Sequence, residues 1–187
     1  MSAQSFLTMT SQYLKDISYI SDNADDKLIS AIILTIQRDE LLPVLGTDLF
    51  NEISGQIEAD TVTAANQTLL TTYILPLMQW FCMAEAPHAF KYRMTNKGVM
   101  VKSSDNSSPA DLQEIKFLMD RYENKGKTRA EDCTRFLRAH TDTYPLFCAN
   151  TDCDDIKPNK TNYRTSIYLG DSELTDKQQR DLNIGKY

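Results

Sequence analysis

Apolar positions recur at helical spacing through most of the first 140 residues, and each run is bounded by residues that start or stop helices. Ser21-Asp22-Asn23 is a cluster of capping residues. Asp25 and Asp26 follow it, where carboxylates complement the positive end of a helix. Ile29, Ile32, Ile33 and Ile36 then make one apolar face, and Pro43 and Gly46 close this helix. Thr47 or Asp48 caps a shorter helix carrying Leu49, Phe50, Ile53 and Ile57. A third starts near Thr63 and runs to about Arg93. Leu69, Leu70, Tyr73, Ile74, Leu77, Met78, Trp80 and Phe81 make its middle apolar almost all round, which predicts a central place in the core. Pro76 and Pro87 each remove a donor and predict kinks.

Thr95-Asn96-Lys97-Gly98 is a turn signal, and Val99 and Val101 follow with strand-like alternation. Residues 103–108 read as a polar loop. Ser108, Pro109 and Asp111 then fit the N-cap, first and third positions of a fourth helix. Leu112, Ile115, Met119, Tyr122, Gly126, Ala130, Cys133, Leu137 and His140 keep one register, which predicts a single helix over 109–142. From Ala149 onward apolar residues are sparse, and the sole strand-like piece is Tyr163–Leu169. Such a segment cannot bury enough surface to fold alone.

These patterns predict a mainly α protein, a bundle of about four helices with a β-like excursion between the two long ones. Residues 1–148 form the helical domain, with the excursion inserted at 95–108, and 149–187 form an extended C-terminal arm. The predicted core is Ile29, Ile33, Ile36, Leu41, Phe50, Ile53, Leu70, Ile74, Leu77, Trp80, Phe81, Ile115, Leu118, Met119, Phe136 and Leu137.

Charge adds a second pattern. The 187 residues carry 20 bases and 26 acids, a net charge of −6, which speaks against a whole-protein electrostatic grip on nucleic acid. Through Asp60 there are ten acids against three bases, whereas Lys91, Arg93, Lys97 and Lys102 form a short run with no acid among them. Unlike patches on one chain suit head-to-tail self-association. The N-terminal stretch lacks the basic start and apolar segment of a secretory signal. The uncharged run Thr61–Ala84 is too polar at one end to span a bilayer, so no membrane partner is expected. The four cysteines form no CxxC pair, which leaves reduced thiols in a soluble, intracellular protein as the expectation.

The residues of known chemistries do not assemble. There is no Gly-rich phosphate loop, HExxH or nucleophile elbow. His140, Cys148 and Cys153 match no common zinc spacing, and Asp152, Asp154 and Asp155 lack the Gly and closing Glu of a calcium loop. Cys82 reads as a small core filler and His88 as a core or boundary residue. No catalytic residue, metal ligand or cofactor is expected, and the chain does not read as an enzyme.

Three stretches resemble one family. Residues 36–53, which include Leu41-Leu42-Pro43-Val44-Leu45-Gly46-Thr47-Asp48-Leu49-Phe50, are similar to segments of tailed-phage neck proteins. So are Thr95-Asn96-Lys97-Gly98-Val99 with Lys102-Ser103-Ser104-Asp105-Asn106-Ser107, and Ser166-Ile167-Tyr168-Leu169-Gly170. Together they resemble head–tail connector (adaptor or neck ring) proteins of phages infecting Bacteroidota, especially crAss-like podoviruses. The resemblance implies a structural virion protein of the neck, assembled in the host cytoplasm. It would form a ring, typically twelvefold, docked beneath the portal protein, where it extends the DNA channel and offers a platform to the next tail component. DNA would then be passing cargo.

Position and physics together assign the contacts with neighbours. A lone two-stranded hairpin is not stable in water, and edge pairing with another chain would complete it. The expected interface residues are Lys91, Arg93, Asn96, Lys97, Gly98, Val99, Val101, Lys102, Ser104 and Asp105, with Ile167, Tyr168, Leu169 and Gly170 in the arm. The alternative expectation is a nucleic-acid-binding accessory protein that uses the basic segment 91–102.

Overall fold

The computed structural model describes residues 8–95, 98–101, 112–148 and 156–158. The fold is mainly α. Helix α1 (Ser11–Ile17) is capped by Thr10, whose hydroxyl accepts from the Tyr13 N–H. Helix α2 (Asp26–Ile36) is capped by Asp25, one turn later than the Ser21–Asn23 cluster suggests. Two short α-helices follow, α3 (Leu42–Leu45) and α4 (Thr47–Glu58). Helix α5 (Ala64–Leu69) starts at Thr63, whose hydroxyl accepts from the Asn66 N–H, and α6 (Leu75–Lys91) continues its path. Two strands, β1 (Tyr92–Thr95) and β2 (Gly98–Val101), pair antiparallel with Tyr92 opposite Val101 and Thr95 opposite Gly98. Helix α7 (Leu112–Ala139) and a 3-10 turn (Pro145–Cys148) complete the body.

Pro87, expected to interrupt its helix, lies inside α6, whereas Pro43 and Pro76 break the helical path in the same way. Each is preceded by one π-helical turn, Gln37–Leu41 before Pro43 and Leu70–Ile74 before Pro76. The Leu42 N–H reaches back five residues to the Gln37 carbonyl, and the Leu75 N–H to that of Leu70. A proline in a regular α-helix lacks a donor and pushes its ring against the carbonyl four residues back. The wide turn moves that carbonyl aside, so the helix path resumes beyond the proline. Pro43 therefore does not close the second helix. The chain runs on to Leu45 and breaks at Gly46, which holds φ at +79°. Thr47 and Asp48 do not cap α4 with their side chains; Gly46 occupies the N-cap position without a side-chain bond.

Helices α6 and α7 run antiparallel through the centre. Tyr73 stacks on Phe136 at 4.3 Å between ring centroids, and further along Trp80 meets Tyr122 at 5.8 Å. Gly126 lets the pair close up, because a Cβ there would lie 3.0 Å from the Phe81 ring. Around this pair sit fully buried Leu14, Ile29, Ile33, Leu41, Leu45, Leu49, Leu69, Ile74, Leu77, Met78, Cys82 and Leu137.

The predicted core is less covered at six positions on α4, α6 and α7. Phe50, Trp80 and Phe136 are only partly covered. So are Ile115 and Met119, and Leu118 is 40% exposed. At Ile115, Leu118 and Met119 the cause is reach: the first turns of α7 extend beyond the helices that would cover them. Core positions that the helix faces did not indicate come from α1 and from the chain after α7, notably Met9, Leu14, Tyr144 and Phe147.

Candidate functional site

One end of the body is tied by polar contacts. The Tyr144 hydroxyl donates to the Ala65 carbonyl at 2.8 Å, and Asn66 donates through Nδ2 to Gln56 Oε1 at 2.9 Å. Burial pushes the Tyr144 phenol above its ordinary value, with Cys133 and Tyr73 as lesser causes. The C-terminal chain returns near the start of α4. Ile156 donates its N–H to Thr47 Oγ1 at 2.8 Å and accepts from the Thr47 N–H at 3.1 Å, while Pro158 lies against Gly46.

The opposite end is open and apolar. Tyr19 and Ile20, which follow α1, and Ala24, before α2, face Met83, Ala86, Pro87 and Phe90 of α6 and Leu118 and Tyr122 of α7 across a groove of about 360 Å³. Tyr19 is 80% exposed, and Leu112 and Phe117 of the same stretch of α7 are 61% and 67% exposed. The floor of the groove follows from sequence. Pro87 supplies a ring without an N–H, and Ala24 and Ala86 are too short to fill the space between α2 and α6. Lys15 fixes the segment from Tyr19 to Ala24 from beneath. Its Nζ, nearly buried, lies 2.7 Å from Asp26 Oδ1 and 2.9 Å from the Asp22 carbonyl. Hydrogen bonds from Lys15 and then Ser11 hold the Asp26 carboxyl below its ordinary range.

The expected interface residues fall around this end only in part. Lys91 closes α6, half-buried, with Nζ 5.9 Å from the Tyr92 ring centroid. Arg93 stands in β1 opposite Met100, Val99 opposite Met94, Val101 opposite Tyr92 and Gly98 opposite Thr95. Asn96, Lys97, Lys102, Ser104, Asp105, Ile167, Tyr168, Leu169 and Gly170 lie outside the described residues. The reading of the sequence missed Tyr19, Leu112, Phe117 and the groove itself. Phe117 carried a usable signal, since it stands off the stripe of Leu112, Ile115, Met119 and Tyr122 that would face a helical partner.

The two buried thiols are not primed for covalent chemistry. Burial raises the thiols of Cys82 and Cys133 to about 12, which keeps both protonated and unreactive at neutral pH. His88 is exposed rather than in the core or at its boundary, with its ring 5.2 Å from that of Tyr92. Among the described residues no three His, Cys, Asp or Glu side chains converge as metal ligands, and no helix is long and apolar enough to cross a membrane. The arrangement offers an apolar groove and exposed aromatic and aliphatic side chains on the first turns of α7.

The described residues form a helical body tied by polar contacts around Asn66 and Tyr144 and open in an apolar groove at the end of α6. The chain belongs to DUF6712, a family of unknown function, whose model matches residues 41–157. No curated protein and no solved structure matches it.

Proposed function

We propose that this chain is a structural subunit of a tailed-phage head–tail connector, a ring that docks beneath the portal, extends the DNA channel and carries the next tail component. The observation that supports it best is the apolar end. Tyr19 and Leu118 are exposed at one groove, Leu112 and Phe117 are exposed on the same first turns of α7, and the hairpin strands follow α6 directly. An exposed cluster of this kind on a small protein marks a protein–protein contact. The likeness of residues 36–53, 95–107 and 166–170 to connector proteins supplies the identity of the assembly. The hairpin and the C-terminal arm make the contacts between copies, and the acidic first third of the chain meets the basic run that starts at Lys91. The ring acts without catalysis, on the virion.

The test is native mass, measured on the purified protein alone and mixed with portal protein across a concentration series. A ring, or a portal-bound complex of defined stoichiometry, is expected. Monomer in every sample overturns the reading.

A further inference from the structure

The open groove has a matching segment elsewhere in the same chain. Residues 156–158 are fastened at Gly46 and Thr47, and residues 159–187 follow. Within them, Tyr163-Arg164-Thr165-Ser166-Ile167-Tyr168-Leu169 alternates so that Tyr163, Thr165, Ile167 and Leu169 share one face of an extended chain. Successive side chains on that face stand about 7 Å apart, so Ile167 and Leu169 can enter one groove together. We propose that the groove of one copy receives Tyr163–Leu169 of a second copy, an inference that rests on the ring-subunit reading.

Three observations favour this occupant. The first is fit in chemistry. The groove wall is made by Ala86, Pro87 and Phe90 of α6 facing Leu118, and it offers apolar surface with few polar partners. A segment with an aliphatic face and polar residues on the other side suits it, the side-chain pockets giving specificity. The second is charge. Asp171 and Glu173 follow the segment, while Lys91 and Arg93 follow Phe90 at the groove, so the same direction of docking brings unlike charges together.

The third is placement. The arm leaves the body at the first turn of α4, where Ile156 and Pro158 meet Thr47 and Gly46, and the groove lies at the C-terminal end of α6. A tail that starts at α4 and a receptor at the C-terminal end of α6 are different surfaces, as the heterologous contact that closes copies into a ring requires.

The experiment uses the full chain in two isotopic forms mixed before assembly. The unlabelled form carries p-benzoylphenylalanine in place of Phe90, and the nitrogen-15 form is wild type. After irradiation, the fraction of ring mass is digested with trypsin, which cuts after Arg164 and Lys177. The expected product is the labelled Thr165–Lys177 peptide joined to the unlabelled groove peptide. Its yield should fall at least tenfold when the labelled form carries Ile167→Asp with Leu169→Asp. Adducts in the ring that map elsewhere, that join only unlabelled to unlabelled peptide, or that survive the double substitution overturn this inference and leave the ring reading standing. Monomer mass without any adduct, with and without portal protein, overturns both.

Discussion

Gly126 is the place where the packing of α6 on α7 can be tested with one methyl group. In an exposed helix interior, Gly→Ala gains about 1 kcal/mol, because alanine loses less backbone entropy on folding. At Gly126 the added Cβ would lie 3.0 Å from three carbons of the Phe81 ring. That ring is 3% exposed and cannot swing aside into solvent. Overpacking a core by one methyl costs about 1–3 kcal/mol. The two terms oppose each other and the steric one wins, so Gly126→Ala should lower stability by about 1 kcal/mol, or roughly 2–4 °C in Tm for a chain of this size.

Gly55 supplies the control. It lies within α4, and nothing stands within 4 Å of where its Cβ would be. Gly55→Ala should therefore return the helix gain alone, with Tm rising by a similar amount. Thermal and urea unfolding followed by far-UV circular dichroism measure both variants. Combining Gly126→Ala with Phe81→Leu removes the clash, so the two changes should couple favourably by about 1 kcal/mol or more in a double-mutant cycle. If Gly126→Ala raises Tm as much as Gly55→Ala does, the ring is free to move and the close approach of the two helices is not what the glycine serves.

The remaining predictions use the same unfolding assays. Gly46→Ala forces a side chain onto a backbone with φ +79° and brings its Cβ 2.8 Å from Pro158, so it should destabilise by about 1–3 kcal/mol and release the contact at Ile156, seen as faster amide exchange there. Asp26 has a lowered pKa through its bond to Lys15, so its contribution is present above the ordinary value of 3.8 and lost as pH falls through the lower folded value. Asp26→Asn should accordingly be less stable than wild type at neutral pH, with the two curves converging in acid. Tyr144→Phe removes the hydroxyl that donates to the Ala65 carbonyl and should cost about 0.5–1.5 kcal/mol, measured as a lower urea midpoint with an unchanged slope.

The sequence made the helical faces of α2, α4 and the α5–α6 path legible because their covered sides are continuous runs of Ile, Leu and Met at the right spacing. Thr63 was readable as a start for the same local reason, a hydroxyl just before the periodic segment. The π turns were not legible. A proline signals a missing donor, yet whether the chain kinks or widens depends on neighbours brought in from elsewhere, and both turns here carry buried residues, Gln37 and Leu41 in one and Leu70 and Ile74 in the other. Helix α1 is too short for periodicity to register. Its place is set by tertiary contacts, Lys15 on Asp26 and Gln79 on the Ile17 carbonyl. The first turns of α7 misled for a physical reason: the stripe Leu112, Ile115, Met119 and Tyr122 says that a face is apolar, and sequence alone does not say how far the facing helices reach along it.

That last ambiguity bears on how the molecule divides its cohesion. The end around Asn66, Tyr144 and Phe147 satisfies its polar groups internally, and among the described residues no buried side-chain nitrogen or oxygen lacks a partner. The end around Tyr19 and Leu118 keeps comparable apolar side chains in solvent, although burying each would release about 25 cal/mol per Å². A sequence under pressure only to fold would shorten α7 or make its first turns polar, since exposed Leu112 and Phe117 add nothing to the monomer. Lys15 points the same way. It spends a nearly buried ammonium on holding the Asp22 carbonyl and Asp26, which fixes one wall of the groove without filling it. On the proposed reading, apolar surface left open beside a wall held by Lys15 suits a receptor: the ordering cost of its own half would be met before the partner arrives, so more of the apolar gain on docking would be left for affinity.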